Sequence, residues 1–156
     1  MQVATAPGVG QKAPSFRLKG PGGQWIALDD YRGRRNVVLV FYPLAFSPVC
    51  SHQLPQIERE MPRLRALEAE VLGISVDSHY ANEAFAKRLG LSFPLLSDFR
   101  RETSVAYGLL DAERHYSGRA LVVVDRQGTI AYRDRTPSPA NIPDLEPLLA
   151  ALERLR

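Results

Sequence analysis

One thiol dominates the chemistry this sequence can carry. Cys50 is the single cysteine among 156 residues, so no internal disulfide and no multi-thiolate zinc or iron–sulfur site can form. A lone free cysteine is most often an inert, buried small hydrophobe. Its place in the chain argues for more. Cys50 follows the apolar run Val37–Tyr42 through the short loop Pro43-Leu44-Ala45-Phe46-Ser47-Pro48-Val49, and helical spacing begins at about Ser51. At a helix start the first backbone N–H groups lack partners and the positive end of the dipole favours a thiolate. An unperturbed thiol of pKa ~8.5 is about 3% ionised at neutral pH, and a helix N-terminus with a nearby cation raises that fraction roughly thirty-fold. Ionisation alone does not make a fast reaction, because intrinsic nucleophilicity falls with pKa. The atom being displaced has to be stabilised as well.

Two loop residues could take part. Ser47 stands three residues before the thiol, where its hydroxyl can donate to one partner while accepting from another. It could equally cap the coming helix. Pro43 stiffens the loop and brings no N–H to compete at the site; it also ends the strand before it. The three histidines, His52, His79 and His115, have no metal-ligand spacing, and His52 reads as solvent-facing. A cysteine protease would need an accompanying motif, and none is present. Arg32-Gly33-Arg34-Arg35 reads as a solvated turn. The glycines of Gly20-Pro21-Gly22-Gly23 are followed by no Gly-Lys-Ser/Thr, so they mark a turn and not a phosphate loop.

The elements that must hold these residues can be read from periodicity. Phe16–Leu18 and Trp25–Leu28 flank the glycine turn as an N-terminal β-hairpin. Val37–Tyr42 is a strand buried on both faces. Ser51–Leu67 is a helix bent at Pro62, with Pro55 tolerable only near its start. Val71–Val76 is a strand, Tyr80–Leu89 a helix stopped by Gly90, and Arg101–Tyr107 a shorter one stopped by Gly108. Leu121–Val124 and Thr129–Arg133 form a second hairpin, and Ile142–Leu155 an amphipathic helix. This order predicts an α/β protein with a central mixed sheet flanked by helices, in a thioredoxin-like architecture. No repeat, low-complexity tract or linker divides it, so residues 1–156 read as one domain.

Composition sets the outer limits. Hydrophobic residues make up 45% and charged residues 24%, an ordinary globular balance. A net charge of +3 is too small to imply a nucleic-acid or membrane partner. The longest apolar stretch, Val37–Phe46, falls far short of the roughly 20 residues that cross a bilayer. The N-terminal MQVATAPGVGQKAP has no basic n-region and no apolar h-region, which makes a cytoplasmic location the expectation.

The motif Pro43-x-x-x-Ser47-x-x-Cys50 after a VVLVFY strand resembles the active-site motif of the peroxiredoxins, thiol peroxidases of thioredoxin-like fold. Gly10–Leu18, Phe93–Asp98 and Arg119–Asp125 carry the resemblance from about Gly10 to Arg133. FYPLAF and FPLLSDF are most similar to the one-cysteine AhpE-like branch, near the bacterioferritin-comigratory group. The resemblance implies that Cys50 is the peroxidatic nucleophile, Ser47 its hydroxyl partner, Pro43 a shield, and Arg119 the cation steadying thiolate and peroxide. The last also makes physical sense, because a guanidinium opening a buried strand can place several donors on two oxygens at once. Three departures stand out. Ser47 replaces a usual threonine and keeps the hydroxyl. Gln53 replaces a frequent glutamate and keeps an acceptor without the charge. Pro55 occupies a position where some relatives carry a second, resolving cysteine.

The implied activity is reduction of hydrogen peroxide and organic hydroperoxides through a sulfenic acid. An external thiol, from thioredoxin, glutaredoxin or mycoredoxin or a low-molecular-weight thiol, closes the cycle. No cofactor or metal is implied, and a homodimer is. Two rivals on the same fold are a thiol–disulfide oxidoreductase and a non-catalytic holdase or interaction protein. The first typically attacks with the leading cysteine of Cys-x-x-Cys, the position that Ser47 fills here.

Overall fold

The computed structural model describes residues 6–156. Met1–Thr5, part of the N-terminal stretch read above as lacking a targeting signal, lie outside the described residues. Seven strands form one sheet: β1 (Arg17–Lys19), β2 (Trp25–Ala27), β3 (Asn36–Phe41), β4 (Ala69–Ser75), β5 (Leu95–Ser97), β6 (Ala120–Val124) and β7 (Ile130–Arg135). Their order across the sheet is β2-β1-β5-β4-β3-β6-β7. The neighbours β3, β4 and β5 run parallel, while β6 and β7 on one side and β1 and β2 on the other add antiparallel pairs. The mixed sheet and both hairpins follow the sequence expectation.

Among the described residues five α-helices surround it: α1 (Pro48–Arg59), α2 (Met61–Ala66), α3 (His79–Leu89), α4 (Glu102–Ala106) and α5 (Glu146–Arg154). The central strands β3, β4 and β6 are buried almost throughout, and their side chains alternate between two cores. Val38, Val40 and Tyr42 face one core with Cys50, Leu54, Ile57, Leu64 and Leu149. Val37, Leu39 and Phe41 face the other with Phe16, Leu109 and Tyr107. The thiol therefore belongs to the core that α1, α2, α3 and α5 cover.

Several boundaries differ from expectation for identifiable reasons. The expected single helix from Ser51 to Leu67 is two, separated at Glu60. Pro62, which has no N–H to give, sits in the first turn of α2, where none is required. Helix α1 also starts earlier, with Pro48 in its first turn, so Pro55 lies inside it and not near its start. Strand β5 has no counterpart in the sequence expectation, because three residues after a proline give no periodicity to read. The last helix begins at Glu146, since Pro143 and Pro147 keep the segment from Ile142 out of regular helix until then. Gly90 ends α3 in the left-handed region at φ 68°, as a glycine after a helical run should.

Candidate active site

Sheet register brings the site together. Strands β3 and β6 are antiparallel neighbours with Phe41 opposite Ala120. The exit of β3 and the entry of β6 therefore lie at the same end of the sheet. Tyr42 and the buried Pro43 lead out of β3 into the loop to α1, and Arg119 stands one residue before β6. Cys50 is the third residue of α1 and is completely buried.

Arg119 is 1% exposed, so it is no solvated surface arginine. Its guanidinium donates in three directions. Nη2 reaches Cys50 Sγ at 3.1 Å, Nη1 donates to Gln53 Oε1, and Nε donates to the Pro139 carbonyl at 3.0 Å. Gln53 lies one helical turn below Cys50 on the same face of α1, so the thiol and the amide meet the guanidinium side by side. A cation at hydrogen-bond distance stabilises a thiolate over a thiol, and the orphan N–H groups of the first turn add to it.

Ser47 occupies the N-cap position of α1, and its carbonyl accepts from Ser51 N at 2.9 Å. Its hydroxyl makes no cap bond and instead donates to the Leu44 carbonyl at 2.8 Å. The side-chain cap considered from sequence is thus absent. Between them, Phe46 has a left-handed backbone at φ 68°, a conformation costing of order 1 kcal/mol in a bulky residue. Two contacts offset it: the Phe46 ring lies 5.0 Å from that of Phe85, and Ala45 N donates to Asp77 Oδ2 at 2.8 Å.

Behind the thiol is a buried polar network. The Tyr42 hydroxyl donates to Asn82 Oδ1 at 2.6 Å, and the Ser75 hydroxyl lies 2.7 Å from Asp77 Oδ2. Burial, aided by the negative charges of Asp77 and Cys50, raises the Tyr42 phenol well above its ordinary value, against the effect of its bond to Ser75. The phenol therefore remains a donor and ties β3 to α3.

All four residues singled out from sequence, Pro43, Ser47, Cys50 and Arg119, lie on or beside this one loop and strand end. Sequence reading missed the loop that holds the arginine. The Arg119 carbonyl accepts from Thr136 N at 3.1 Å, and the Thr136 hydroxyl lies between the Ser138 carbonyl at 2.9 Å and the Arg119 carbonyl at 3.3 Å. The Ser138 hydroxyl accepts from Ala140 N at 3.2 Å, bracing the turn that presents Pro139. No local signal in Thr136-Pro137-Ser138-Pro139 points to a partner twenty residues away. His52, exposed on α1, takes no part.

Comparison with known proteins agrees with this geometry. Residues 9–133 match the AhpC/TSA family. Alkyl hydroperoxide reductase E of Mycobacterium tuberculosis is 38% identical over 128 residues, covering 81% of this chain and 84% of that protein. A chloroplastic 2-cysteine peroxiredoxin of Chattonella marina is 38% identical over 134 residues, covering 80% and 68%. The crystal structure of reduced 2-Cys peroxiredoxin from Plasmodium vivax superposes with a TM-score of 0.85 at 27% identity, covering 93% of this chain and 80% of that one. Mycobacterium tuberculosis AhpC gives 0.85 at 26% identity, covering 97% and 94%. Its single thiol, set on a thioredoxin-like sheet, fits the one-cysteine type, and the chain belongs to the AhpC/TSA family of peroxiredoxins, the thiol-dependent peroxidases.

Proposed function

We propose that Cys50 is the peroxidatic nucleophile, Arg119 the cation that orients thiolate and peroxide, Ser47 the hydroxyl that contacts the substrate, and Pro43 the shield of the thiol. The observation that carries the reading is the 3.1 Å contact between Arg119 Nη2 and Cys50 Sγ in a fully buried setting. The thiolate attacks the terminal peroxide oxygen in line with the O–O bond. Sulfur supplies two electrons, the S–O bond forms as the O–O bond breaks, and the leaving oxygen takes a proton to depart as water or alcohol. Negative charge grows on that oxygen, where donors from Arg119 are worth most, while Ser47, whose own proton goes to the Leu44 carbonyl, accepts from the peroxide O–H.

The product at Cys50 is a sulfenic acid. An external thiol condenses with it, releasing water and leaving a mixed disulfide; a second thiol displaces the first and restores Cys50. Because Cys50 is completely buried, the chain around it has to move aside before a protein thiol can reach the sulfur. We read residues 1–156 as one domain, supported by the single sheet, and the protein as a cytoplasmic homodimer served by thioredoxin, a glutaredoxin or mycoredoxin, or a low-molecular-weight thiol. Among the described residues no helix is long and apolar enough to cross a membrane.

The test is peroxide consumption with a thiol reductant, comparing the wild-type protein with Cys50→Ser. The variant should be folded and inactive, since a serine hydroxyl is far less ionised than a thiol. Wild-type turnover in the variant rules the thiol mechanism out. A wild-type protein that consumes no peroxide yet reduces disulfides, or does neither, points to one of the rival functions.

A further inference from the structure

The loop that carries Ser47 is tied to the rest of the fold at two points, and both lie beyond the end of β4. Strands β3 and β4 run parallel with Phe41 beside Ile74, so the chain leaves them side by side. Tyr42 N still donates to the Ile74 carbonyl at 3.1 Å. Asp77, two residues past β4, then reaches across, and its Oδ2 accepts from Ala45 N at 2.8 Å. Among the described residues this is the one hydrogen bond from residues 43–47 to a distant part of the chain. The other anchor is the Phe46 ring, 5.0 Å from that of Phe85 on α3. Burial adds little at Leu44 and Phe46, which are 37% and 49% exposed. A phenylalanine at φ 68° keeps that backbone only where its surroundings fix it.

Asp77 can hold the loop because the sheet first holds Asp77. The Ser75 hydroxyl donates to the same Oδ2 at 2.7 Å, and the Asp77 carbonyl accepts from the Ser97 hydroxyl of β5 at 2.6 Å. Among the described residues Asp77 forms no salt bridge that would draw its carboxylate elsewhere. Nor does α3 need it as a cap, since Ser78 fills that position and its hydroxyl accepts from Ala81 N at 3.1 Å. Building on the peroxidase reading, we propose that Asp77 is a positioning residue for peroxide reduction: its carboxylate pins Ala45 N–H to the end of β4 and so fixes Ser47, two residues on, for its contact with the peroxide. Among the described residues no hydrogen bond joins Asp77 to Ser47 or Cys50. Its effect passes through the loop backbone.

Asp77→Ala removes the acceptor, and Asp77→Asn keeps an oxygen for both donors. Hydrogen exchange of single amides, followed by NMR where every variant is folded, reads the loop without peroxide. In Asp77→Ala the amides of Ala45, Phe46 and Ser47 should exchange about ten-fold faster, as the loss of one such bond allows, while α3 keeps wild-type protection. The second-order rate constant for peroxide should fall about ten-fold or more, the effect of a displaced contact. Asp77→Asn should restore both to within about three-fold of wild type, because the acceptor is kept. Ser75→Ala deletes the hydroxyl that orients the carboxylate and should fall between; if Asp77→Ala does not fold, Ser75→Ala carries the test, and wild-type values in it overturn the proposal. Unchanged exchange at Phe46 and Ser47 in Asp77→Ala also overturns it, as does faster exchange spread through α3, which assigns Asp77 to the helix. An Asn variant no better than Ala has the same consequence. A loosened loop with a wild-type peroxide rate sinks this inference alone. A wild-type protein that consumes no peroxide sinks the peroxidase reading, with the exchange result still standing.

Discussion

Arg119 donates to Cys50 Sγ at 3.1 Å across 69 residues of sequence, and neither group is open to solvent. Antiparallel pairing of β3 with β6 makes the contact, since it returns the chain to the end of the sheet where β3 leads into the loop before Cys50. Removing the arginine tests the contact directly. Arg119→Met should lower the second-order rate constant for peroxide by two to three orders of magnitude, on the order found when one preorganised donor to developing negative charge is lost. Stopped-flow kinetics with the pre-reduced protein provides the measurement. A rate constant equal to wild type removes Arg119 from the chemistry.

Ser47 offers a cleaner reading than sequence allowed, because the structure removes the competing cap. Its hydroxyl rests on the Leu44 carbonyl, with its lone pairs available to a substrate. Ser47→Ala should therefore reduce the peroxide rate more than Ser47→Thr, with melting temperature nearly unchanged in both. If the two variants lose rate equally, the hydroxyl has no part in peroxide contact.

Thr136, just past the end of β7, holds the backbone of Arg119. Thr136→Val keeps the shape and deletes the hydroxyl that lies between the Ser138 and Arg119 carbonyls. A net loss of about 1 kcal/mol in stability is expected for one such bond. The peroxide rate constant should also fall, because the same turn carries the Pro139 carbonyl that receives Arg119 Nε. Urea unfolding and stopped-flow rates measured in parallel check both halves; stability loss with an unchanged rate assigns Thr136 to the fold alone.

With one cysteine in the chain and Pro55 where some relatives carry a resolving thiol, no intramolecular disulfide can close the cycle. Peroxide without reductant should leave a sulfenic acid at Cys50, and excess peroxide should carry it to sulfinic acid. A small thiol should give one mixed-disulfide adduct per chain by intact mass. Rapid, nearly complete formation of a Cys50–Cys50 disulfide between subunits, reduced within the turnover time, would instead make the second subunit the resolving partner.

The features legible in the sequence are local and periodic. Two-sided burial of Val37–Phe41 and Leu121–Val124 follows from runs of β-branched and large apolar residues, and the glycines at 22, 90 and 108 stand where the backbone turns left-handed. The loop motif located the thiol and its hydroxyl neighbour because both lie within four residues of chain. Tertiary structure decided the rest. Whether Ser47 capped α1 depended on where its hydroxyl could turn, and the Leu44 carbonyl was nearer use than the helix N–H groups. The break at Glu60 put Pro62 into the first turn of α2, where its missing N–H is not required. Arg119, Gln53, Thr136 and Pro139 come from α1, from the approaches to β6 and from the chain beyond β7. Their meeting depends on strand order and register, which are settled by burying both faces of the sheet at once and leave no mark in any single segment.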